Sequence, residues 1–211
     1  MGGGSADEII MTSVSNPEVM AICYAQGWAA NADYMTLKEA QKVTSIGKAF
    51  RSSSIGDFYE FQYFTGVTSI GNNAFISSTI TGITFPPSLK NINGGYCFTN
   101  CSKLTYLEVP EGVTQINGQQ WIWGTNITQL ILPSTLTSGN GYLMTINSNG
   151  RSAKCTAICK ATAPPTLNSN LQYTASINTV YVPDSAVDTY KADSKWGTIS
   201  DKIKPMSELS L

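Results

Sequence analysis

The feature that most constrains this chain of 211 residues is a phrase that it repeats, VTSIG at residues 43–47 and again at 67–71. Two later phrases place an isoleucine in the same position, so that the aligned residues are Ile46, Ile70, Ile92 and Ile116. Their separations are 24, 22 and 24 residues. A regular period of this length indicates a repeat protein, because one such unit cannot bury its own apolar side and must stack on its neighbours.

A second series with the same period ends each time in proline, in the segments ITGITFP, LTYLEVP and ITQLILP. In LTYLEVP, Leu107 and Val109 alternate with Glu108, which predicts a short strand with one face inward. Proline lacks an amide hydrogen and is not tolerated inside a central strand. We therefore expect the strands of successive units to end at one level, at Pro86, Pro110 and Pro133.

Glycines follow the isoleucine phrases, at Gly71, Gly94 and Gly118. We expect them to permit a positive φ at a bend. The compound unit is longer than the spacing of ~8–12 residues between turns that a β-sandwich would give. The sequence therefore predicts an α/β repeat fold, namely a leucine-rich-repeat solenoid with short parallel strands on one face.

Helical caps are predicted on both sides of the repeats. Thr36 and Glu39 have capping-box spacing, SNPEVMAICYAQG predicts a helix before them, and PDSAVDTYKAD predicts a helix near the other end, capped by Asp184 or Ser185. The opening MGGGS is typical of a flexible linker that stands in place of a leader or an earlier domain. The predicted regions are a linker at 1–5, a helical N-terminal cap at 6–42, repeats at 43–183 with irregular insertions near 51–66 and 140–154, and a helical C-terminal cap at 184–211.

Composition excludes several classes of function. Charged residues make up only 13% of the chain, and 13 basic residues face 14 acidic ones, so there is no basic excess for nucleic acid. No apolar run reaches the ~18 residues that membrane insertion needs. The chain has no histidine, which excludes histidine-based catalysis and histidine zinc sites. We expect no enzyme; a carboxylate-dependent hydrolase using Glu108 and Glu111 is the weaker alternative to solvated surface charge.

The five cysteines include two pairs with four-residue spacing, in CFTNC and CTAIC. A four-thiolate metal site is one interpretation of these pairs. Burial as small apolar residues of the repeat is the favoured one, and a single disulfide stays open. We accordingly expect neither a metal nor a cofactor.

Two aromatic segments are candidates for contact with a partner. If DFYEFQYF is extended, Tyr59, Phe61 and Tyr63 lie on one side as an exposed patch. If GQQWIWGTN is extended, one of Trp121 and Trp123 points outward beside amide side chains, as in a platform for sugar stacking or protein contact. Packing between units is the alternative for these tryptophans.

The phrases VTSIGNNAF, LTYLEVPEGVTQI and ITQLILPSTL resemble the BspA-like leucine-rich repeat family, also described for a Treponema pallidum leucine-rich protein. The closing VYVPDSAVDTYKADSKWGTISDKIKPM is similar to the C-terminal ends of gut Bacteroides members, and the resemblance covers roughly residues 43 to 205. It implies a curved solenoid, a secreted or cell-surface location, and in some members adhesion to host extracellular-matrix proteins.

The resemblance and the composition together lead to one expected function. We expect a monomeric, non-enzymatic adhesion module of an extracellular or cell-surface protein, whose partner is a host extracellular protein or glycan. A structural spacer or display scaffold within a larger surface or phage-tail protein is the alternative.

Overall fold

The computed structural model describes residue 5, residues 7–146 and residues 154–209. Residues 1–4 of the predicted linker and residues 147–153 of the second predicted insertion lie outside the described ranges. The α-helices in these ranges are α1 (Pro17–Ala25), α2 (Leu37–Lys42) and α3 (Val187–Ala192). The strands are β1 (Ile9–Thr12), β2 (Tyr34–Thr36), β3 (Asp57–Phe58), β4 (Gly82–Ile83), β5 (Tyr106–Glu108), β6 (Gln115–Ile116), β7 (Gln129–Leu132), β8 (Ser138–Gly139), β9 (Cys155–Cys159), β10 (Thr166–Leu167), β11 (Ile177–Val182) and β12 (Ile203–Pro205).

Parallel strands from successive units form the sheets of the repeat region. Within the described residues, the larger sheet has the order β12-β11-β9-β7-β5, and the smaller has the order β10-β8-β6. Leu107 pairs with Leu130, which pairs with Ala157, and all three side chains are buried. β3 and β4 form a separate parallel pair. The parallel strands and the alternation of Leu107 and Val109 with Glu108 are thus confirmed.

Phenylalanines at one place in each unit stack through the core. The ring centroids of Phe50 and Phe75 are 5.3 Å apart with planes at 13°, and those of Phe75 and Phe98 are 4.9 Å apart with planes at 6°. Trp121 follows in the next unit, 6.4 Å from Phe98 and edge-on to it. A ladder of aromatic rings therefore joins four units, and aromatic pairs in such geometry add to the stabilisation from area burial.

The prediction of positive φ at Gly71, Gly94 and Gly118 is wrong, because none of these residues has a positive φ. The positive φ values instead lie two residues after Gly71 and Gly94, at Asn73 and Tyr96. A Cβ on Gly94 would overlap the carbonyl group of Gly71, and one on Gly118 would lie 2.9 Å from the carbonyl carbon of Gly94. Gly94 and Gly118 are needed as glycines because the backbones of neighbouring units touch there.

Helices α1 and α2 lie where the sequence predicts them, between and after the antiparallel strands β1 and β2. The capping box is present: Glu39 N donates to Thr36 Oγ1 at 3.3 Å, and Thr36 N donates to Glu39 Oε2 at 2.7 Å. Asn16 stands before α1 but does not cap it. Its Nδ2 donates instead to the carbonyl oxygen of Asp57 at 3.1 Å, which ties the helix to β3.

At the other end, α3 and a 3-10 helix at Trp196–Lys202 pack on the last units. Tyr190 and Trp196 are buried edge to face, and Trp196 Nε1 donates to the carbonyl oxygen of Pro165 at 2.9 Å. The predicted cap at Asp184 or Ser185 is wrong, because these residues form a 3-10 turn and Ala186 precedes α3. Among the helices of the described ranges, none has the length and apolarity that crossing a bilayer requires.

Candidate functional site

The larger sheet presents one row of outward side chains for each inward row, because side chains alternate along a strand. Leu107, Leu130 and Ala157 point into the core, so the residues on either side of them point out. We call this surface the strand face. Its exposed or half-buried members on β5, β7, β9 and β11 are Tyr106, Glu108, Gln129, Ile131, Thr156 and Tyr181.

Two exposed tyrosines lie near the β5 edge of the strand face: Tyr106 belongs to β5, and Tyr59 packs on β4, which neighbours β5. Tyr59 is 53% exposed and Tyr106 is 44% exposed. The ring of Tyr59 lies over Gly82, since a Cβ on that glycine would be 2.8 Å from Tyr59 Oη. Tyr106 also lines a cavity of about 250 Å³, together with Ile83, Thr84, Phe85, Glu108 and Pro110. Exposed tyrosines beside a cavity are typical of protein-binding surfaces.

An ordered polar network fixes the side chains around Tyr106. Its hydroxyl donates to Glu108 Oε2 at 2.8 Å. Lys160 Nζ lies 3.2 Å from Glu108 Oε1 and 3.9 Å from Glu111 Oε1, so it reaches across the intervening unit. Partial burial and the adjacent Glu108 carboxylate raise the pKa of Tyr106 to about 12, so the hydroxyl stays protonated at neutral pH.

The environment of Glu111 does not favour a general acid. Partial burial acts to raise the pKa of Glu111, but hydrogen bonds from the hydroxyl and amide of Ser134 outweigh it and lower the pKa. Those bonds are 2.7 Å and 3.1 Å long. A general acid needs a raised pKa, which is the opposite shift. Both Glu108 and Glu111 are exposed, which agrees with the interpretation as surface charge.

The predicted patch of Tyr59, Phe61 and Tyr63 is only partly at the surface. Residues Tyr59–Tyr63 form a 3-10 helix rather than an extended strand, so strict alternation does not apply. Phe61 is fully buried, with its ring 5.1 Å from that of Phe58, and its assignment to an exposed patch is wrong. Tyr59 and Tyr63 are exposed.

The tryptophan pair is likewise divided. Trp121 is fully buried and its Nε1 donates to the carbonyl oxygen of Leu143 at 3.0 Å, so packing between units is the correct alternative for it. Trp123 is half-buried, and its ring lies edge-on to Tyr173 at 5.0 Å. Sequence reasoning missed Tyr106 and Tyr173. The register of LTYLEVP was a signal for Tyr106, because its tyrosine precedes an inward leucine.

All five cysteines are free and buried, as the packing interpretation predicts. Cys97 Sγ donates to the carbonyl oxygen of Gly94 at 2.8 Å, and Cys101 Sγ to that of Phe75 at 3.0 Å. Burial raises the pKa of Cys97 to about 12 and that of Cys101 to about 11. Over the ranges that the structure describes, no cluster of three or more histidine, cysteine or acidic side chains is placed to hold a metal ion.

Parallel strands from successive units, with short α-helices before and after them, fit an α/β repeat fold. A family model described as a BspA type leucine rich repeat region of six copies matches residues 29–149 and, in an overlapping match, residues 68–190. The chain therefore belongs to the BspA-type leucine-rich repeat family. Proteins of this kind are generally non-enzymatic interaction modules, and BspA-type members are typically surface-associated. No curated protein matches the chain.

Proposed function

We propose that this chain is a non-enzymatic binding module of a bacterial cell-surface or secreted protein, and that it binds a host extracellular protein through the strand face. The observation that carries the proposal is the exposure of Tyr59 and Tyr106, the second of which is held in an ordered polar network. The units stack as one curved solenoid, with α1 and α2 closing one end and α3 closing the other. We also propose, from the sequence resemblance, that the chain is related to the Bacteroides and Treponema members of the family.

Tyrosine is well suited to such a surface. Its ring buries a large area while losing few side-chain torsions, and its hydroxyl offers a hydrogen bond. Tyr59 packs over Gly82, and the hydroxyl of Tyr106 is anchored by Glu108. Both side chains are therefore ordered before a partner arrives, which lowers the entropic cost of binding.

The network around Lys160 supports a protein partner rather than a catalytic role. Lys160 and Glu108 remain 38% and 46% exposed in their side chains, so a partner contacts them at the rim of the tyrosine pair. Rim charges influence orientation and association rate more than affinity. We therefore expect the tyrosines to dominate the binding free energy and the charges to set its salt dependence.

The test is binding of the purified protein to immobilised fibronectin, fibrinogen, laminin, collagen and mucin, measured by biolayer interferometry. The variant Tyr59→Ala with Tyr106→Ala is compared with Tyr24→Ala, which removes a tyrosine of similar exposure from α1. We expect saturable binding that weakens about tenfold or more in the double variant and is unchanged in the control, since tyrosines that a partner buries on binding are common hot spots. Circular dichroism checks that each variant is folded.

Two results would contradict the proposal. Equal affinity of the double variant and the wild type would remove the strand face as the binding surface. Absence of binding across the panel would favour the alternative of a spacer or display scaffold within a larger surface protein.

A further inference from the structure

We infer that the chain carries a second binding site, for a neutral saccharide, at the ends of the strands of the smaller sheet. The site is a depression of about 470 Å³ in which amide side chains and a tyrosine converge. We call it the amide site, and its lining residues are Asn117, Gln119, Asn140, Tyr142, Asn168 and Ser169. It belongs to a different sheet from the strand face and shares no residue with it.

The repeat itself assembles the amides. Asn117, Asn140 and Asn168 each follow directly after a strand, β6, β8 and β10 respectively. These strands are parallel and in register, with Ile116 and Leu167 each paired to Gly139, so the three asparagines stand in one row. Residues far apart in the sequence thus reach one surface, because each unit places the same position at the same edge.

The amide side chains at the site differ in role: that of Asn140 is bonded within the protein, whereas those of Asn117 and Gln119 are available to a ligand. Asn140 is buried: its Nδ2 donates to the carbonyl oxygen of Asn117 at 2.7 Å, and its Oδ1 accepts from Tyr142 N at 2.9 Å. Asn117 and Gln119 are exposed, and their side-chain amides bond to no other residue in the described part of the chain. They can therefore donate and accept hydrogen bonds with a ligand.

The ring of Tyr142 lines the amide site, and the ring of Tyr173 packs beside it. The ring centroid of Tyr142 is 6.4 Å from that of Tyr173, with planes at 26°, and Trp123 supports Tyr173 edge-on at 5.0 Å. Tyr173 is 54% exposed, so much of its ring faces solvent. The segment that carries it is fixed, because Gln172 N donates to the carbonyl oxygen of Gly141 at 2.7 Å and Thr145 Oγ1 donates to that of Gln172 at 2.8 Å.

The chemistry of the lining selects the ligand class. None of the six lining side chains is charged, so the amide site offers no counter-ion to a phosphate, carboxylate or amine. A purely apolar ligand would leave the amides of Asn117 and Gln119 without partners in a contact from which water is excluded. A neutral sugar satisfies both demands, because its hydroxyls pair with amides that both donate and accept, and its C–H face packs on an aromatic ring.

The test is a printed array of oligosaccharides ending in neutral hexoses, fucose, N-acetylhexosamines or sialic acid, followed by calorimetry with the best neutral hit. The variants are Tyr173→Ala and Gln119→Ala. The matched control is Tyr24→Ala, which removes a tyrosine of similar exposure from α1, a residue of neither proposed surface. We expect saturable binding of a neutral oligosaccharide that weakens about tenfold or more in both site variants and is unchanged in Tyr24→Ala.

Any of the following results would overturn the inference of a saccharide site. An array on which no neutral glycan binds, or on which only sialylated glycans bind, would exclude the ligand class. Binding that Tyr173→Ala and Gln119→Ala leave unchanged would exclude the location. Thermal unfolding of each variant separates a lost contact from a lost fold, and Gln119→Ala, at an exposed position, leaves the fold intact. Failure on the protein panel does not affect this test, because the strand face and the amide site are probed by different variants.

Discussion

Replacing Gly94 by alanine is the most direct perturbation of the contact between units. A Cβ there would overlap the carbonyl group of Gly71 and lie 2.5 Å from Asn72 N, whereas favourable carbon contacts occur at ~3.5–4.0 Å. Both neighbours are backbone of the preceding unit, so no side-chain rotation can relieve the overlap. The two units must therefore move apart, and the stacked rings of Phe75 and Phe98 must move with them.

The expected magnitude follows from two opposing terms. Overpacking a close contact costs ~1–3 kcal/mol, and more when backbone must shift. Alanine also reduces the conformational freedom of the unfolded chain, which returns ~0.4–1 kcal/mol. We expect Gly94→Ala to lower the free energy of unfolding by about 2 kcal/mol, which corresponds to a fall in Tm of ~4–8 °C for a chain of this size.

Gly71→Ala is the matched control, because this glycine occupies the same place in the preceding unit. Its φ is not positive, and apart from Gly71 and its two chain neighbours no described residue has an atom within 4 Å of the position of its Cβ. We expect its Tm to stay unchanged or to rise by a few degrees, since only the effect on the unfolded chain remains. The measurement is thermal unfolding followed by circular dichroism. If the Gly94→Ala and Gly71→Ala proteins melt at the same temperature, the argument from backbone contact is refuted.

Two further predictions concern titratable groups. Burial raises the pKa of the Cys97 and Cys155 thiols to about 12. We therefore expect neither thiol to react with a disulfide reagent at pH 8 until guanidinium unfolds the protein. Rapid reaction in the native protein would contradict their buried placement. Partial burial acts to raise the pKa of Glu39, but hydrogen bonds from Thr36 and Ala30 outweigh it and lower the pKa. The charge therefore stabilises the fold above the unfolded-state pKa of ~4.3, and this contribution is lost as pH falls through the lower folded value. In urea unfolding, Glu39→Gln should lose stability relative to wild type at pH 7 and much less at pH 3; a difference independent of pH would show that the charge is not responsible.

The period of the sequence was sufficient to predict the parallel strands and their inward residues. Leu107 and Val109 had to be buried, because no other arrangement hides the apolar positions of every unit at once. Phe61 was misplaced because period-2 alternation was extended into a segment that forms a 3-10 helix. Phe61 packs against Phe58 because the chain turns in this 3-10 helix. Counting alternate residues along the sequence does not reveal such a turn.

The candidate sites were harder to predict than the fold. Tyr142 and Tyr173 belong to different units, and the second lies where the repeat is loosest in sequence, so no spacing rule joins them. The row of Asn117, Asn140 and Asn168 did have a signal, since each residue follows a strand of the smaller sheet. The row can be recognised only when the register between the strands is known. Because the irregular units differ in length, the sequence alone does not give that register.

The low proportion of charged side chains also has a structural explanation. The same explanation limits which surface groups can bind a ligand. Hydroxyls of threonine bond to carbonyl oxygens about one repeat earlier: Thr135 Oγ1 to Val113 at 2.8 Å, and Thr137 Oγ1 to Thr114 at 3.0 Å. Such groups are already paired between units, so they contribute to cohesion rather than recognition. The groups that remain for a ligand are exposed rings that pack only on one side and polar side chains, such as Gln119, that bond to no other residue in the described ranges. Recognition by this protein should therefore depend on its few tyrosines and unpaired amides, despite a surface rich in serine and threonine.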